Sequence, residues 1–184
     1  MFKFLFILFI SLFCNQAFSS SKEAIISKMK LTNNLSFNFM QIIENKEQNG
    51  NCIIQYPKKI FCEYNDYKKK IIVSNGKSLV IKNRYNGSYY IYALKKTPLE
   101  FLLDKNYLIS KIDVLEARVV DNKYLNFTIL ENNNEINIFF DKKTSDLVGW
   151  QTKDIYQNLV ITFISSVKIN KKINGDIFIL PKND

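Results

Sequence analysis

The sequence predicts a mainly β (α+β) fold in which a single antiparallel sheet follows one N-terminal helix. From Leu35 onward, short runs rich in Ile, Val, Phe and Tyr are separated about every ten residues by clusters of Asn, Gly, Asp and Lys. The pair Asn75-Gly76 between two such runs is typical of a type I′ hairpin, which needs positive φ at both central residues. These patterns predict about ten or eleven strands in one continuous meander.

The chain opens with an export signal. Lys3 precedes an apolar stretch over residues 4–13, and Ala17 and Ser19 supply the small residues that signal peptidase needs. The stretch is about ten residues long, whereas a membrane-spanning helix needs roughly 20. We therefore predict a signal peptide over residues 1–19 with cleavage after Ser19, and a retained membrane anchor is the alternative.

The remainder, residues 20–184, has the length of one domain with its own core. Its formal charge contributes most of the net +9 of the whole chain, but the lysines are scattered, with short runs only at residues 68–70 and 171–172. A solvated face explains such runs, and attraction to anionic lipid headgroups or acidic proteins is the functional alternative. Nucleic acid is not expected as a partner of an exported chain.

The helix comes first in this domain. Ser20 and Glu23 form a capping box, and Ile25, Ile26 and Met29 then fall on one helical face, so an amphipathic helix should run to about Lys30. A turn is predicted at residues 48–50. Strands are predicted at residues 35–43, as a hairpin over 52–64, and at 71–73, 79–81, 88–94, 115–120, 124–130, 135–140, 147–153, 159–168 and 176–180.

Two cysteines follow the signal peptide, and the hairpin places them opposite each other. A turn centred near Pro57 pairs Cys52 with Cys62, where cross-strand Cβ atoms lie roughly 4.5 to 5.5 Å apart. Because exported chains meet an oxidising compartment, a disulfide is predicted. Two small buried hydrophobic residues that never oxidise are the alternative.

Residues 97–104 interrupt the strand pattern. Thr97 can cap a helix and Pro98 suits its first position, so a short helix is predicted, followed by a second one through Leu108 and Ile109. A helix here could act as a lid over the open mouth of a curled sheet, or it could be a plain crossover helix that closes a core. The apolar stripe of this predicted lid is Leu99, Leu102 and Leu103.

The residues that most enzymes need are missing. The chain has no histidine, which removes the commonest general base and zinc ligand, and its five glycines form no phosphate-binding loop. Carboxylates such as Asp104, Asp113 and Glu116 show no catalytic spacing. Neither an enzyme nor a metal or other cofactor is expected. From composition alone, the 15 Phe and 10 Tyr favour a plain core, and a hydrophobic ligand site is the functional alternative.

Several short motifs resemble, in the same order, those of the LolA family of bacterial lipoprotein carriers. The closest is residues 71–79, Ile-Ile-Val-Ser-Asn-Gly-Lys-Ser-Leu, beside the family's aliphatic residue followed by Val-Ser-Asp-Gly-Lys-Thr-Leu. Each motif is short, and their common order over almost the whole domain carries the resemblance. The others are Phe39-Met40-Gln41, the hairpin at residues 50–64, Thr97-Pro98 with Leu102-Leu103, Trp150 with Asp154, and Phe178 to Pro181.

The resemblance implies an incomplete β-barrel closed by short helices around an apolar cavity. It implies a monomeric periplasmic chaperone of a Gram-negative-type bacterium that binds acylated lipoproteins. Cargo would come from an inner-membrane lipoprotein-releasing ABC transporter and pass, in some bacteria, to an outer-membrane receptor. The expected lipid-binding cavity comprises Phe39, Cys52, Ile54, Tyr56, Ile60, Cys62, Tyr64, Leu79, Ile81, Phe127, Phe140 and Trp150, with a core-packing role as the alternative.

The chain departs from the family pattern at two places. Tyr56 stands where the family commonly has an Arg that hydrogen-bonds the lid, so a weaker polar latch is expected. Cys52 and Cys62 occupy hairpin positions that are usually aromatic. A protein-interaction or regulatory module of the same fold, with its concave face around a protein segment, is the alternative function.

Overall fold

The computed structural model describes residues 21–154 and 156–183. The predicted signal peptide, its cleavage after Ser19 and the first residue of the predicted capping box lie outside these residues. Residues 21–31 form helix α1, as predicted, with Ile25 and Ile26 buried and Met29 packed against the core. The Thr32 hydroxyl donates a hydrogen bond to the Lys28 carbonyl (2.8 Å) as the helix ends.

The predicted sheet is present, with eleven antiparallel strands in a single sheet. Their order is β6-β5-β4-β3-β2-β1-β11-β10-β9-β8-β7, so β6 and β7 form the two edges and the sheet is not closed into a barrel. The strands are β1 (Asn34–Ile43), β2 (Lys46–Gln55), β3 (Lys59–Tyr64), β4 (Lys70–Asn75), β5 (Ser78–Asn83), β6 (Tyr89–Ala93), β7 (Arg118–Val120), β8 (Tyr124–Glu131), β9 (Asn134–Asp141), β10 (Leu147–Lys153) and β11 (Leu159–Ile169).

The prediction of one continuous meander is wrong in its connectivity. The sheet consists of two meanders, β1–β6 and β7–β11, and the first and last strands pair at its centre, with Phe39 opposite Ile164. Two short helices join the meanders, α2 (Leu99–Leu102) and α3 (Lys105–Val114), and the second reaches well past the predicted Ile109. The pairing of β1 with β11 already joins the two meanders into one sheet. The helices that connect β6 to β7 therefore need not pair with a strand, and they lie over the sheet face.

Three predicted local features are also corrected. Residues 48–50 lie inside β2, and the turn is formed by Glu44 and Asn45, both at positive φ, as type I′ requires. The β4–β5 hairpin, predicted as type I′ at Asn75-Gly76, turns at Gly76-Lys77 with positive φ only at Gly76, which matches type II′ instead. The predicted strand at residues 176–180 is a 3₁₀ turn (Gly175–Phe178), where the Asn174 side chain accepts a hydrogen bond from the Asp176 amide.

Residues 97–120 differ in detail from their prediction. Thr97 does not cap α2, because its hydroxyl donates to the Leu94 carbonyl (2.8 Å). The cap in this region belongs to α3, whose Asp104 carboxylate accepts a hydrogen bond from the Tyr107 amide (3.1 Å). β7 is confined to the last three residues of the predicted strand at 115–120 because α3 extends to Val114.

The sheet curls around a core on one face, which α1, α2 and α3 cover. Ile60 on β3 and Phe140 on β9 line the same cavity although four strands lie between them. In a flat sheet these two strands would be roughly 24 Å apart, so the sheet must bend to bring both to one cavity. Side chains on its covered, concave face are buried together with those of the helices, including Leu103 and Ile112.

Candidate functional site

A disulfide lies on the concave face of the sheet, as predicted. Cys52 on β2 and Cys62 on β3 are directly paired, with their Cα atoms 4.1 Å apart and their sulfurs bonded. Both residues are buried, as are Ile54 and Ile60 one step along the same face. The alternation expected from the sequence therefore puts the hairpin's apolar side chains and the disulfide on the wall that faces the interior.

A first apolar cavity lies beneath helix α2 and has a volume of about 160 Å³. Leu102 and Leu103 are buried at its wall, and the half-buried Leu99 also lines it, so the predicted lid residues all reach this cavity. The cavity extends from the hairpin strands to β9 and β10. Its other apolar lining residues are Met29, Leu35, Ile54, Tyr56, Ile60, Leu108, Ile138, Phe140, Leu147, Trp150, Val167 and Ile169.

The second cavity is larger, about 390 Å³, and includes the disulfide in its wall. Its volume falls within the roughly 300 to 1,000 Å³ typical of small-ligand sites. Polar side chains, among them Gln41, Lys70 and Thr162, also contribute to its wall. Its apolar lining residues include Phe39, Cys52, Ile60, Cys62, Tyr64, Ile72, Leu79, Ile81, Leu99 and Trp150.

The two cavities adjoin. Ile60, Leu99 and Trp150 line both of them, so these three side chains form the partition between the cavities. Ile60 and Trp150 belong to the sheet, whereas Leu99 belongs to a helix of only four residues.

Lys58 links the hairpin to the lid. Its Nζ lies 2.6 Å from Glu100 Oε1 and 3.4 Å from Asp104 Oδ2, and its backbone N–H donates to the Leu103 carbonyl (2.8 Å). The hydrogen bond with Glu100 raises the pKa of the Lys58 ammonium, since it stabilises the charged form. The polar contacts between the hairpin and residues 99–104 are thus made by Lys58, the residue after Pro57, two positions beyond Tyr56.

Tyr56 itself is part of the wall of the first cavity. It packs against the core, and burial raises the pKa of its hydroxyl to about 12. The Nζ of Lys105 lies 5.9 Å from the centroid of its ring, which is within the range of a cation–π contact.

The second cavity has a polar end beside β1, β3 and β4. The Tyr64 hydroxyl donates to Gln41 Oε1 (2.9 Å), and Gln41 Nε2 donates to Thr162 Oγ1 (3.1 Å). The Lys70 ammonium lies 3.6 Å from the centroid of the Tyr64 ring and donates to Gln48 Oε1 (2.6 Å). Burial lowers the pKa of Lys70 to about 8 and raises that of Tyr64.

Of the predicted cavity residues, the structure brings all but Phe127 to a cavity wall. Phe127 on β8 is completely buried and packs edge-on against Phe140, with ring centroids 6.0 Å apart, but it lines neither cavity. Sequence reasoning missed Lys58 and Lys70. Both stand in turns or at strand ends among many other lysines, and no pattern distinguishes a half-buried lysine from a solvated one.

No helix of residues 21–154 and 156–183 is long and apolar enough to cross a membrane. Within the same ranges, no three Cys, Asp or Glu side chains come together in a group that could hold a metal ion.

The open, curled sheet and its helix-covered apolar cavities define a class of β-sheet protein with an interior that can shelter hydrophobic groups. Residues 30–180 match the family model "Outer membrane lipoprotein carrier protein LolA". The chain belongs to the LolA family, and the resemblance seen in the sequence is confirmed. This family comprises carrier and binding proteins.

Solved structures with similar folds share little sequence with the chain. An uncharacterized conserved protein from Thermus thermophilus has a TM-score of 0.52 at 7% identity, over 90% of this chain and 95% of that one. A LolA superfamily protein from Nitrosomonas europaea has a TM-score of 0.47 at 7% identity, over 88% and 96%. MucB in the Pseudomonas aeruginosa MucA/MucB complex has 0.48 at 9%, over 88% and 61%. No curated protein matches the chain in sequence.

Proposed function

We propose that this protein is a periplasmic carrier that shelters the acyl chains of lipoproteins released from the inner membrane and delivers them to the outer membrane. The observation that carries the proposal is the pair of adjoining apolar cavities beneath α2. Family membership supports the same conclusion. Residues 20–184 would act as one domain, since a single sheet runs through the described part of them.

The energetics of acyl transport explain why such a carrier needs a lid. Burial of an acyl chain gains about 0.8 kcal/mol per CH₂, so a multiply acylated lipoprotein does not cross water unaided. A cavity that kept all of this free energy would never release its cargo. Leu99, Leu102 and Leu103 line the first cavity and, as a lid, would compete with the cargo, which would make binding reversible.

The proposed path has two ends. An inner-membrane lipoprotein-releasing ABC transporter would load the carrier, and the outer membrane, with or without a receptor lipoprotein, would accept the cargo. We expect the carrier to act as a monomer, as the family resemblance implies.

The test is release of a triacylated lipoprotein from spheroplasts by the purified mature protein. We expect a soluble one-to-one complex, and we expect Leu102→Asp to abolish it, because a carboxylate at the cavity wall opposes acyl burial. Leu130→Asp is the matched control, since Leu130 is 72% exposed on β8. Leu99→Asn, at a half-buried site, serves as a second variant if Leu102→Asp does not fold.

Release by both the native protein and Leu130→Asp, with loss in the lid variants, supports the carrier. A folded native protein that releases nothing would contradict it. In that case, saturable binding of a peptide segment would indicate the alternative, a protein-interaction module of the same fold.

A further inference from the structure

One charged side chain in the wall of the second cavity is not used by the proposed carrier. Lys70 is the first residue of β4 and is half-buried, unlike Lys68 and Lys69 before it, which are exposed. Acyl chains of a lipoprotein need only apolar surface, and a lysine in their cavity costs desolvation without helping them. The presence of Lys70 therefore calls for its own explanation.

The partners of the Lys70 ammonium are neutral. It contacts the Tyr64 ring at 3.6 Å and donates to the Gln48 amide oxygen at 2.6 Å. In the part of the chain that the structure describes, no carboxylate lies within ion-pair distance of it. Asp66 is close enough to act on it electrostatically, but the Asp66 Oδ1 accepts a hydrogen bond from the Lys70 backbone N–H instead (3.3 Å).

The other charges in the cavity wall do not compensate for Lys70. Asp154 lines the cavity, but its carboxylate is held within its own loop by the amides of Tyr156 (2.8 Å) and Asn158 (2.9 Å) and by the Asn158 side chain (3.2 Å). Lys153 is exposed. Burial lowers the pKa of Lys70 to about 8, with a smaller contribution from Lys68, while Asp66 opposes the shift. A bound anion would stabilise the charged form of Lys70 and so offset the free-energy cost of its burial.

The surroundings of Lys70 resemble the head end of an amphiphile site. The Gln41 amide, which accepts from the Tyr64 hydroxyl, and the Thr162 hydroxyl lie at the same end of the wall and have protons to donate to an anionic head. From there the cavity wall is apolar, formed by Ile72, Leu79 and the disulfide. One charged end and one apolar end within about 390 Å³ fit a single acyl chain with an anionic head.

We propose that the second cavity binds a free amphiphile with one acyl chain and an anionic head, which pairs with Lys70 while the chain lies along the disulfide wall. This inference goes beyond the proposed function, because it concerns a free lipid and does not need the protein to carry a lipoprotein. A carboxylate and a phosphate head share the required charge, and the experiment distinguishes them.

The experiment compares a fluorescent long-chain polyene fatty acid with its methyl ester, titrated into the purified protein at neutral pH. Lys70→Met removes the charge but keeps a side chain of similar length, and Lys70→Arg keeps the charge. Lys68→Met is the matched control, because Lys68 is exposed in the turn just before β4. We expect Lys70→Met to weaken binding of the acid at least tenfold, because the variant loses a hydrogen bond to a charged group. Binding of the ester should not change, and Lys70→Arg should bind the acid nearly as well as the native protein.

A lysophosphatidate competitor identifies the head. If lysophosphatidate displaces the probe more strongly than an unlabelled fatty acid does, and this difference is lost in Lys70→Met, the site is assigned to anionic phospholipid. If the fatty acid displaces the probe more strongly, the site is assigned to fatty acid. Either result supports the proposal. Equal weakening of acid and ester by Lys70→Met, or no weakening of either, would overturn it. Lipoprotein release by Lys70→Met is measured in parallel, so failure of the carrier function is seen separately.

Discussion

Lys58 and Glu100 form an ion pair, 2.6 Å from Nζ to Oε1, that joins the β2–β3 hairpin to the lid helix across 42 residues of sequence. Both side chains are largely shielded from solvent, with 30% and 21% of their side-chain surfaces exposed. The pair therefore acts where the lid meets the cavity wall. It should bias the lid towards its closed position.

Removal of the Lys58 ammonium should loosen the lid. We expect Lys58→Met to raise binding of an apolar fluorescent dye by the empty protein and to slow transfer of bound cargo to acceptor vesicles, because the closed lid competes less well with ligand. The free energy of unfolding should fall by no more than about 1 kcal/mol. Lys77→Met, at an exposed hairpin position, is the control, and Lys58→Arg should restore native behaviour. Unchanged dye binding in Lys58→Met would remove the latch from the mechanism.

The disulfide should contribute strongly to stability. It closes a loop between residues ten apart in sequence, and we expect Cys52→Ala/Cys62→Ala to lose about 2–4 kcal/mol of unfolding free energy. Urea unfolding with and without a thiol reductant measures this loss. The reductant should destabilise the native protein and leave the double variant unaffected, and a double variant as stable as the native protein would contradict the expectation.

Gly50 should not tolerate a side chain. A Cβ there would overlap the Glu63 carbonyl oxygen and lie 2.7 Å from the Phe39 ring. Phe39 on β1 is the residue that pairs with Gly50 on β2. We expect Gly50→Ala to lower the unfolding free energy by about 1–3 kcal/mol. Gly175→Ala is the matched control, because a Cβ at Gly175 meets nothing within 4 Å, and its effect should stay within about 0.5 kcal/mol. Equal effects of the two substitutions would show that the close approach at Gly50 is absent in solution.

Stability should depend on pH through Lys70. Its pKa in the folded protein is about 8, below the ordinary value of 10.5, so above pH 8 the unfolded chain binds more protons at this position than the folded one. The Lys70 contribution to folding therefore becomes more favourable as pH rises from about 8 towards 9, a window in which tyrosines with an ordinary pKa of about 10 are still mostly protonated. Urea unfolding across this window should show a more positive slope for the native protein than for Lys70→Met. Identical slopes would mean that Lys70 is solvated.

Much of the concave face follows from the sequence. Alternation along the hairpin puts Ile54 and Ile60 on the side of Cys52 and Cys62, because successive side chains of a strand point to opposite faces. The cross-strand pairing of the cysteines follows from the position of the turn. The apolar stripe of α2 also follows from the sequence, because the spacing of apolar residues along one helix is sufficient to identify it.

Turn positions were harder to predict, for a reason visible at Gly50. The polar run Gln48-Asn49-Gly50 has the composition of a turn, yet it continues β2. The glycine there makes room for the Phe39 ring from the neighbouring strand instead of bending the chain. The actual turn is formed by Glu44 and Asn45. Glutamate is not a residue type that indicates positive φ, so the sequence at Glu44 does not predict a turn.

Local sequence patterns were sufficient to predict the mainly β character, the N-terminal helix, the disulfide pair and the residues that share the concave face, because each of these depends on contacts between near neighbours in the chain. Three features are visible only in the folded structure: the pairing of β1 with β11, the position of Phe127 outside the cavities, and the partial burial of Lys58 and Lys70. These depend on residues brought together from distant parts of the chain by the curl of the sheet. Local periodicity carries no information about which distant surfaces meet.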